Sequence, residues 1–276
     1  MILVPGGRGQ LGHDLAALSA DVHAASSAEL DVTAVTADDV RGYSAVINCA
    51  AYTAVDAAET DEDRAFAVNA VGPGLLARAC ATAGTPLIHV STDYVFPGDG
   101  TRPYEPTDDV GPKSAYGRTK LEGERRVLEE GGWVVRTSWV YGANGSNFVK
   151  TMAALESSRP SVSVVDDQRG APTWSHDLAA GLLELAAVLP STRLLHAAGG
   201  GETTWFGLAQ AVFEELGADP ARVTPCTTAD FPRPAPRPAY SVLSGAAWVA
   251  AGLRPLPHWR SALTAAFRAG VVAPRA

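Results

Sequence analysis

Ile2-Leu3-Val4-Pro5-Gly6-Gly7-Arg8-Gly9-Gln10-Leu11-Gly12 carries a short apolar run straight into glycines at 6, 9 and 12. The run at 2–4 is strand-like, and Leu11, Leu15 and Leu18 recur behind the glycines at helical spacing. Strand, glycine turn and helix in that order open a βαβ unit. Glycine permits the tight turn and lets backbone approach a pyrophosphate, whose charge then rests at the helix N-terminus. Such a turn can serve packing alone; its place at the first strand–helix junction favours dinucleotide binding, with Gly6, Gly9 and Gly12 as candidate contacts. A Walker-type loop is excluded, because Gly7 and Gly12 have the spacing but His13 stands where lysine is required.

The same rhythm continues outward. Apolar runs at 45–50 (A-V-I-N-C-A), 87–91 (L-I-H-V-S) and 133–136 (W-V-V-R) alternate with helix-length segments at about 62–83 and 114–130. Nearly continuous apolar strands are what a parallel sheet buried on both faces requires, and Gly84 supplies a helix stop. After about residue 144 the pattern breaks up. Helices near 148–155, 176–189, 204–216 and 259–269 interleave with strands near 162–165 and 194–197. A proline-rich stretch at 231–238 reads as extended loop. The expected fold class is α/β: a Rossmann-like doubly wound parallel sheet with a smaller C-terminal substrate-binding lobe. The expected division gives 1–145 and about 172–198 to a cofactor domain, and about 146–171 and 199–276 to the lobe.

Composition bounds the partners. Of 276 residues, 46% are hydrophobic and 19% charged, which suits a folded α/β chain and excludes a disordered one. A net charge of −8 without any basic run excludes a nucleic-acid footprint, while helix N-termini and a few arginines can still hold an anionic nucleotide. No apolar stretch approaches the roughly 20 residues of a membrane span. The opening run also lacks the basic leader of a signal peptide. A cytoplasmic protein with no membrane partner is therefore expected. Cys49, Cys80 and Cys226 lie far apart and read as free thiols, and no metal site is expected. The second-strand region, His23-Ala24-Ala25-Ser26-Ser27, has no carboxylate for ribose hydroxyls and leaves room for a phosphate, with Arg8 as the nearby cation. That favours NADP(H).

Tyr116-Gly117-Arg118-Thr119-Lys120 gives Y-x-x-x-K in a helical segment, which puts both side chains on one face. Lysine is scarce here: only 113, 120 and 150 against nineteen arginines, so the pairing is not an ordinary surface pattern. Reducing a ketone needs a proton donor for the developing alkoxide. A phenol with a pKa of about 10 serves at neutral pH only if a nearby cation stabilises its anion, and a lysine at i+4 can do this. The third member belongs at the carboxyl end of a parallel strand. The run 87–91 leads into Ser91-Thr92-Asp93-Tyr94, where Thr92 can hydrogen-bond a substrate carbonyl. Tyr116, Lys120 and Thr92 are the candidate catalytic residues.

Together these residues resemble the extended short-chain dehydrogenase/reductase family, and within it the dTDP-4-dehydrorhamnose reductase branch. The resemblance covers essentially the whole chain. It rests on G-G-R-G-Q-L-G at 6–12, N-C-A-A-Y-T-A-V-D at 48–56, V-N-A at 68–70, S-T-D-Y-V-F at 91–96 and Y-G-R-T-K at 116–120. It continues through R-T-S-W-V-Y-G at 136–142, N-F-V-K-T-M at 147–152, D-Q-R-G-A-P-T at 167–173, T-T-W at 203–205 and R-P-A-Y-S at 237–241. The resemblance implies NADPH, with NADH possible, along Gly9, Gln10 and Leu11. Asp31 and Val32 then lie near the adenine, and Ala51, Tyr52 and Thr53 beneath the cofactor, which Tyr116 and Lys120 also touch. It implies Thr92, Asp93, Tyr116 and Trp139 facing the deoxysugar, and Asn147, Lys150 and Gln168 toward the substrate's diphosphate and base. Read without the resemblance, Trp139 could be core filling and Asp31 a turn cap. The implied reaction is NADPH-dependent reduction of the C4 ketone of dTDP-4-dehydro-6-deoxy-L-mannose to dTDP-L-rhamnose, by a monomer or homodimer.

Three departures stand out. Pro5 replaces a usual threonine or aromatic residue, Pro112-Lys113-Ser114-Ala115 lacks an asparagine often found before the tyrosine, and Asp14 stands where some members carry a glutamate implicated in metal-linked dimers. Metal binding is accordingly not carried over. A dehydratase is disfavoured, because Tyr94 occupies the place of the second carboxylate that elimination needs. The remaining alternatives are a ketoreductase of antibiotic deoxysugar synthesis and a non-catalytic NADP-binding regulatory subunit.

Overall fold

The computed structural model describes residues 1–272. Its strands β1 (Ile2–Pro5), β2 (Val22–Ala25), β3 (Ala45–Asn48), β4 (Leu87–Thr92), β5 (Trp133–Thr137) and β6 (Leu194–His196) form one sheet in the order β6-β5-β4-β3-β1-β2. Every pairing in it is parallel. The chain proceeds in one direction from β1 to β2 and in the other from β3 to β6. Its topological switch therefore lies between β1 and β3, where open α/β sheets bind ligands beyond the strand ends.

Apolar runs make these strands because both faces are covered. Leu3, Val46, Leu87 and Val134 enter one core cluster, and their neighbours Val4, Ile47, Ile88 and Val135 enter another. Successive side chains thus point to opposite faces, as the pleat requires. Leu11, Leu15, Leu178 and Leu182 cover the second set from helices Gln10–Leu18 and Ser175–Val188. Leu76, Cys80 and Val127 cover the first from helices Gly72–Ala83 and Ala115–Glu129.

The segment expected as one helix at 62–83 is helical throughout but not uniform. It runs as α-helix over Glu62–Phe66, widens to a π-turn over Ala67–Val71, and resumes over Gly72–Ala83 before Gly84. Pro73 lacks an N–H, and its ring would strike the carbonyl of Asn69 in a regular helix; the widened turn relieves that clash.

The rest of the chain packs around a third cluster, with Tyr141, Val149, Met152, Leu208, Val212, Phe213 and Leu263 at its centre. Short strand pairs brace it: Val162–Val165 with Val223–Cys226, Arg169–Gly170 with Thr203–Thr204, and Val140–Tyr141 with Thr173–Trp174. Trp248 and Leu253 instead bury themselves in the cluster on one sheet face. The proline-rich stretch crosses to the sheet side: Arg233 and Arg237 pair with Asp56 at 2.8 and 2.9 Å, and the Ala235 N–H donates to the same carboxylate. Among the described residues no helix is long and apolar enough to cross a membrane.

Candidate active site

The helix bearing Tyr116 starts where its free N–H groups find acceptors. The Ser114 hydroxyl accepts from Gly117 N at 3.1 Å, and the Glu59 carboxylate accepts from Ala115 N at 2.8 Å. Gly117 allows the close approach that follows: a Cβ there would lie 2.3 Å from the Tyr94 carbonyl. The helix start is thereby pressed against the turn after β4. Thr92, the last residue of β4, donates through its hydroxyl to Asp93 Oδ1 at 2.9 Å and accepts from Tyr94 N at 3.2 Å. The Tyr116 ring meets Tyr94 edge-on, with centroids 5.6 Å apart. Burial pushes the Tyr116 phenol up to about 12, with Asp93 adding to the rise and the facing Thr92 hydroxyl opposing it. Asp93 is buried too, and burial raises it to about 6 against donors from Ser241, Thr92 and the backbone.

Lys120 shares the helix face but does not hydrogen-bond the phenol. Its stem runs to β4, where Nζ donates to the Val90 carbonyl at 2.7 Å and sits 3.2 Å from His89 Nε2. Burial lowers the amine to about 8, with Glu124 and Cys49 pulling it upward. The resting Tyr116 is raised with Lys120 on the same helix face, because burial outweighs the opposing Thr92 hydroxyl.

The glycine loop lies across the switch point. Gly6 adopts φ +76, and a Cβ there would sit 2.6 Å from Ala50 N. A Cβ on Gly12 would meet Gly7 Cα at 2.5 Å, so glycine there lets the helix close on the loop, whereas Gly9 faces only the Gly6 carbonyl, at 3.3 Å. Gly9 heads the Gln10–Leu18 helix with no side-chain cap and no acid in the first turn. Helix donors and a bare backbone there fit a pyrophosphate. Leu11 itself is buried in the core, so only its backbone is available to a ligand.

Ala51, Tyr52 and Thr53 follow β3 beside this loop. Asn69, which carries no role in the sequence reading, clamps Tyr52 from the π-turn. Its Oδ1 accepts from Tyr52 N at 2.8 Å, and its Nδ2 donates to Tyr52 O and to Thr119 Oγ1, both at 3.1 Å. A lone asparagine three residues past Phe66, within the otherwise apolar run 65–71, was the available signal. Asp31 is exposed, with its carboxylate turned to Thr33 N and Oγ1 at 2.9 and 2.7 Å, a turn cap; Val32 is buried against Gly72. Near the end of β2 a carboxylate does stand, supplied by Glu29 from beyond the stretch that lacks one. It accepts from Ser26 N at 2.8 Å and from Ser26 Oγ at 2.7 Å.

On the lobe side, Trp139 comes two residues after Thr137, the register partner of Thr92. It has φ +48 and stacks on Trp205 with centroids 3.5 Å apart and planes 6° from parallel. Trp205 Nε1 donates to Gln168 Oε1 at 3.1 Å, and Gln168 Nε2 donates to Thr228 Oγ1 at 2.9 Å. Asn147 caps helix Phe148–Ser158 through Lys150 N and donates to Gln10 Oε1 at 2.9 Å, so it reaches the cofactor loop. Lys150 Nζ donates to the Ala143 and Gly145 carbonyls, both at 3.0 Å.

Residues 1–271 match the family described as the RmlD substrate binding domain. A dTDP-4-dehydrorhamnose reductase of Mycobacterium tuberculosis is 52% identical, covering 97% of this chain and 92% of that protein. A probable dTDP-4,6-dihydroxy-2-methyloxan-3-one 4-ketoreductase of Streptomyces antibioticus is 48% identical over 96% of this chain and 94% of its own length. The crystal structure of a Bacillus anthracis dTDP-4-dehydrorhamnose reductase in complex with NADP superposes with a TM-score of 0.91 at 34% identity, covering 97% of this chain and 98% of that one. The likeness runs through both halves of the molecule, glycine loop and lobe alike, and the chain belongs to the dTDP-4-dehydrorhamnose reductase family.

Proposed function

We propose that this chain reduces the C4 ketone of dTDP-4-dehydro-6-deoxy-L-mannose to dTDP-L-rhamnose with NADPH. The observation that carries the reading is the grouping of buried Thr92 and Lys120 with partly buried Tyr116 at the carboxyl end of β4. NADPH, when bound, supplies the hydride. Gly6, Gly9, Gln10, Leu11 and Gly12 are the residues proposed to hold its pyrophosphate, and Ala51, Tyr52 and Thr53 to lie beneath it. Thr92 orients the carbonyl by turning its hydroxyl proton from Asp93 to the carbonyl oxygen. Tyr116 gives that oxygen its proton as charge develops, and its raised pKa keeps the proton in place until then. Trp139 supplies an apolar wall against the sugar, propped by Trp205. Asp93 borders the sugar, with Asn147, Lys150 and Gln168 toward the nucleotide end.

In this reading 1–145 with about 172–198 form the cofactor domain, and 146–171 with 199–276 form the sugar-nucleotide lobe. The free thiols Cys49, Cys80 and Cys226 suit the reducing cytoplasm, where a monomer or homodimer would work. A second reading is a ketoreductase acting on another dTDP-4-keto-6-deoxy sugar, favoured by the 48% identical Streptomyces antibioticus relative. The test is NADPH oxidation with dTDP-4-dehydro-6-deoxy-L-mannose beside 4-keto sugars of other configuration. Turnover of the first substrate by at least tenfold over the others is the expected result. Cofactor binding without turnover of any sugar overturns both readings.

A further inference from the structure

We propose that His89 is a positioning residue for Lys120: held in the Nε2–H tautomer, it stabilises the neutral amine that Lys120 becomes on passing a proton toward Tyr116. This rests on the reductase reading of Tyr116 and Lys120 given above.

The argument is a count of donors. Asn48 and His89 are register partners on β3 and β4, and both are fully buried. The Ala50 N–H donates to Asn48 Oδ1 at 3.0 Å, which orients the amide with its nitrogen toward His89 Nδ1 at 3.1 Å. An amide nitrogen can only donate, so Nδ1 must accept, and the proton of the neutral ring sits on Nε2. The ring is neutral, since burial and the facing lysine both hold its pKa well below the ordinary value. Its Nε2–H then faces Lys120 Nζ at 3.2 Å. A hydrogen bond forms there only if Nζ offers a lone pair; an ammonium would set donor against donor. The Val90 carbonyl, at 2.7 Å, takes one amine hydrogen. Among the described residues, Val90 and His89 thus give the neutral amine an acceptor and a donor, whereas an ammonium meets the Nε2–H donor to donor.

Other charges do not reverse this. Glu124, on the same helix, is held by Arg136 of β5 through three bonds of 2.7–3.2 Å. Cys49, at the end of β3, is a thiol whose pKa burial pushes up to about 12, so it stays uncharged. Burial itself lowers the amine toward about 8, the direction the donor count requires. The chemistry balances without any further reagent. Tyr116 loses its proton to the C4 oxygen; an O–H bond re-forms on Tyr116 as an N–H bond breaks on Lys120, the proton passing through an intervening hydroxyl that gives up one proton as it takes another. His89 holds the resulting amine until solvent returns the proton.

The test uses the full-length protein and two variants. His89→Phe keeps a ring but removes the donor. Asn48→Asp accepts from Nδ1–H, moves the ring proton off Nε2 and makes that nitrogen an acceptor that favours ammonium. Both should raise the alkaline limb of the kcat–pH profile, by about 0.5–1 unit for His89→Phe and by more for Asn48→Asp. NADPH affinity should stay within about twofold in His89→Phe, since a single uncharged hydrogen bond is altered there. Nitrogen-15 NMR of the wild type should show His89 protonated on Nε2 and bare on Nδ1, a readout independent of turnover. An Nδ1–H or doubly protonated ring, or an unmoved alkaline limb in a folded His89→Phe variant, overturns the proposal. If His89→Phe does not fold, the tautomer and Asn48→Asp decide. Cofactor binding without sugar turnover would sink the reductase reading alone and leave the tautomer result standing.

Discussion

On the sheet side of the candidate site, Thr92 and Asn48 hang from strand ends, His89 from the middle of β4, and Tyr116 and Lys120 from one helix. On the lobe side, Trp139 sits in a left-handed turn, and Gln168, Trp205 and Thr228 reach one another from three separate segments. Regular elements fix direction by their own geometry, so the sheet side is preorganised by backbone. The lobe side is preorganised by side chains that depend on each other. Chemistry needs the first kind of rigidity, because a proton donor misplaced by about 1 Å loses most of its effect. Discrimination among sugars can use the second.

The sharpest way to break this contrast is Tyr116→Phe. It should lower kcat by about 10²–10⁴ while leaving the NADPH dissociation constant nearly unchanged. Single-turnover measurement with the dTDP sugar checks it, and a loss below tenfold would move the chemistry off the sheet side. Next in size is Asp93→Asn, read by stability. Folding raises Asp93 from 3.8 to about 6, so the folded state resists its ionisation. The wild type is therefore penalised increasingly as pH climbs through that interval, and fully above it. An asparagine escapes the penalty: the variant should be more stable by up to about 2–3 kcal/mol at pH 8 and match the wild type near pH 4. Equal melting temperatures at pH 8 would mean that the donors around Asp93 already compensate its charge.

The same contrast explains what the sequence disclosed. Strands at 2–4, 87–91 and 133–136 were legible because burial on both faces leaves no choice but apolar runs. Tyr116 and Lys120 were legible because helical spacing alone puts them on one face. The direction of the lysine stem was not, since it is set by a carbonyl thirty residues away in sequence, that of Val90. The π-turn was hidden because a local pattern cannot tell a widened turn from a regular one, although Pro73 marked its place. Least legible were pairings across long separations, such as Arg233 and Arg237 with Asp56, or Gln168 with Thr228. Those depend on how irregular loops meet, and no periodicity encodes that. Asn147 shows the same limit: its bond to Gln10 spans 137 residues of sequence.

Trp205→Leu sharpens the comparison from the lobe side. It removes the stack beneath Trp139 and the donor to Gln168. The expected result is a KM for the dTDP sugar raised about threefold to tenfold, from the usual worth of an aromatic pair, with kcat within about twofold. A fall in kcat with KM unchanged would show that the lobe steers the reacting carbonyl and not merely the sugar's binding.

The smallest expected effect concerns the far end of the cofactor site, where neither kind of rigidity dominates. Glu29 is exposed and folds back onto the Ser26 N–H and hydroxyl at the end of β2, and those bonds hold its carboxylate below the ordinary range. It therefore stays ionised at working pH, close enough to Arg8 to interact with it. A carboxylate at this strand end favours ribose hydroxyls, and an arginine favours a 2′-phosphate, so the two residues pull the cofactor preference in opposite directions. Glu29→Gln keeps the shape and removes the charge. It should raise the ratio of kcat/KM for NADPH over NADH by about twofold to fivefold at low salt, the range of an exposed charge pair. The gain should shrink as salt is added, because both groups face solvent. Arg8→Ala should lower the same ratio. If neither variant moves it, the adenosine end of the cofactor lies away from β2, and the contrast between preorganised chemistry and adaptable recognition would have to be redrawn around the lobe alone.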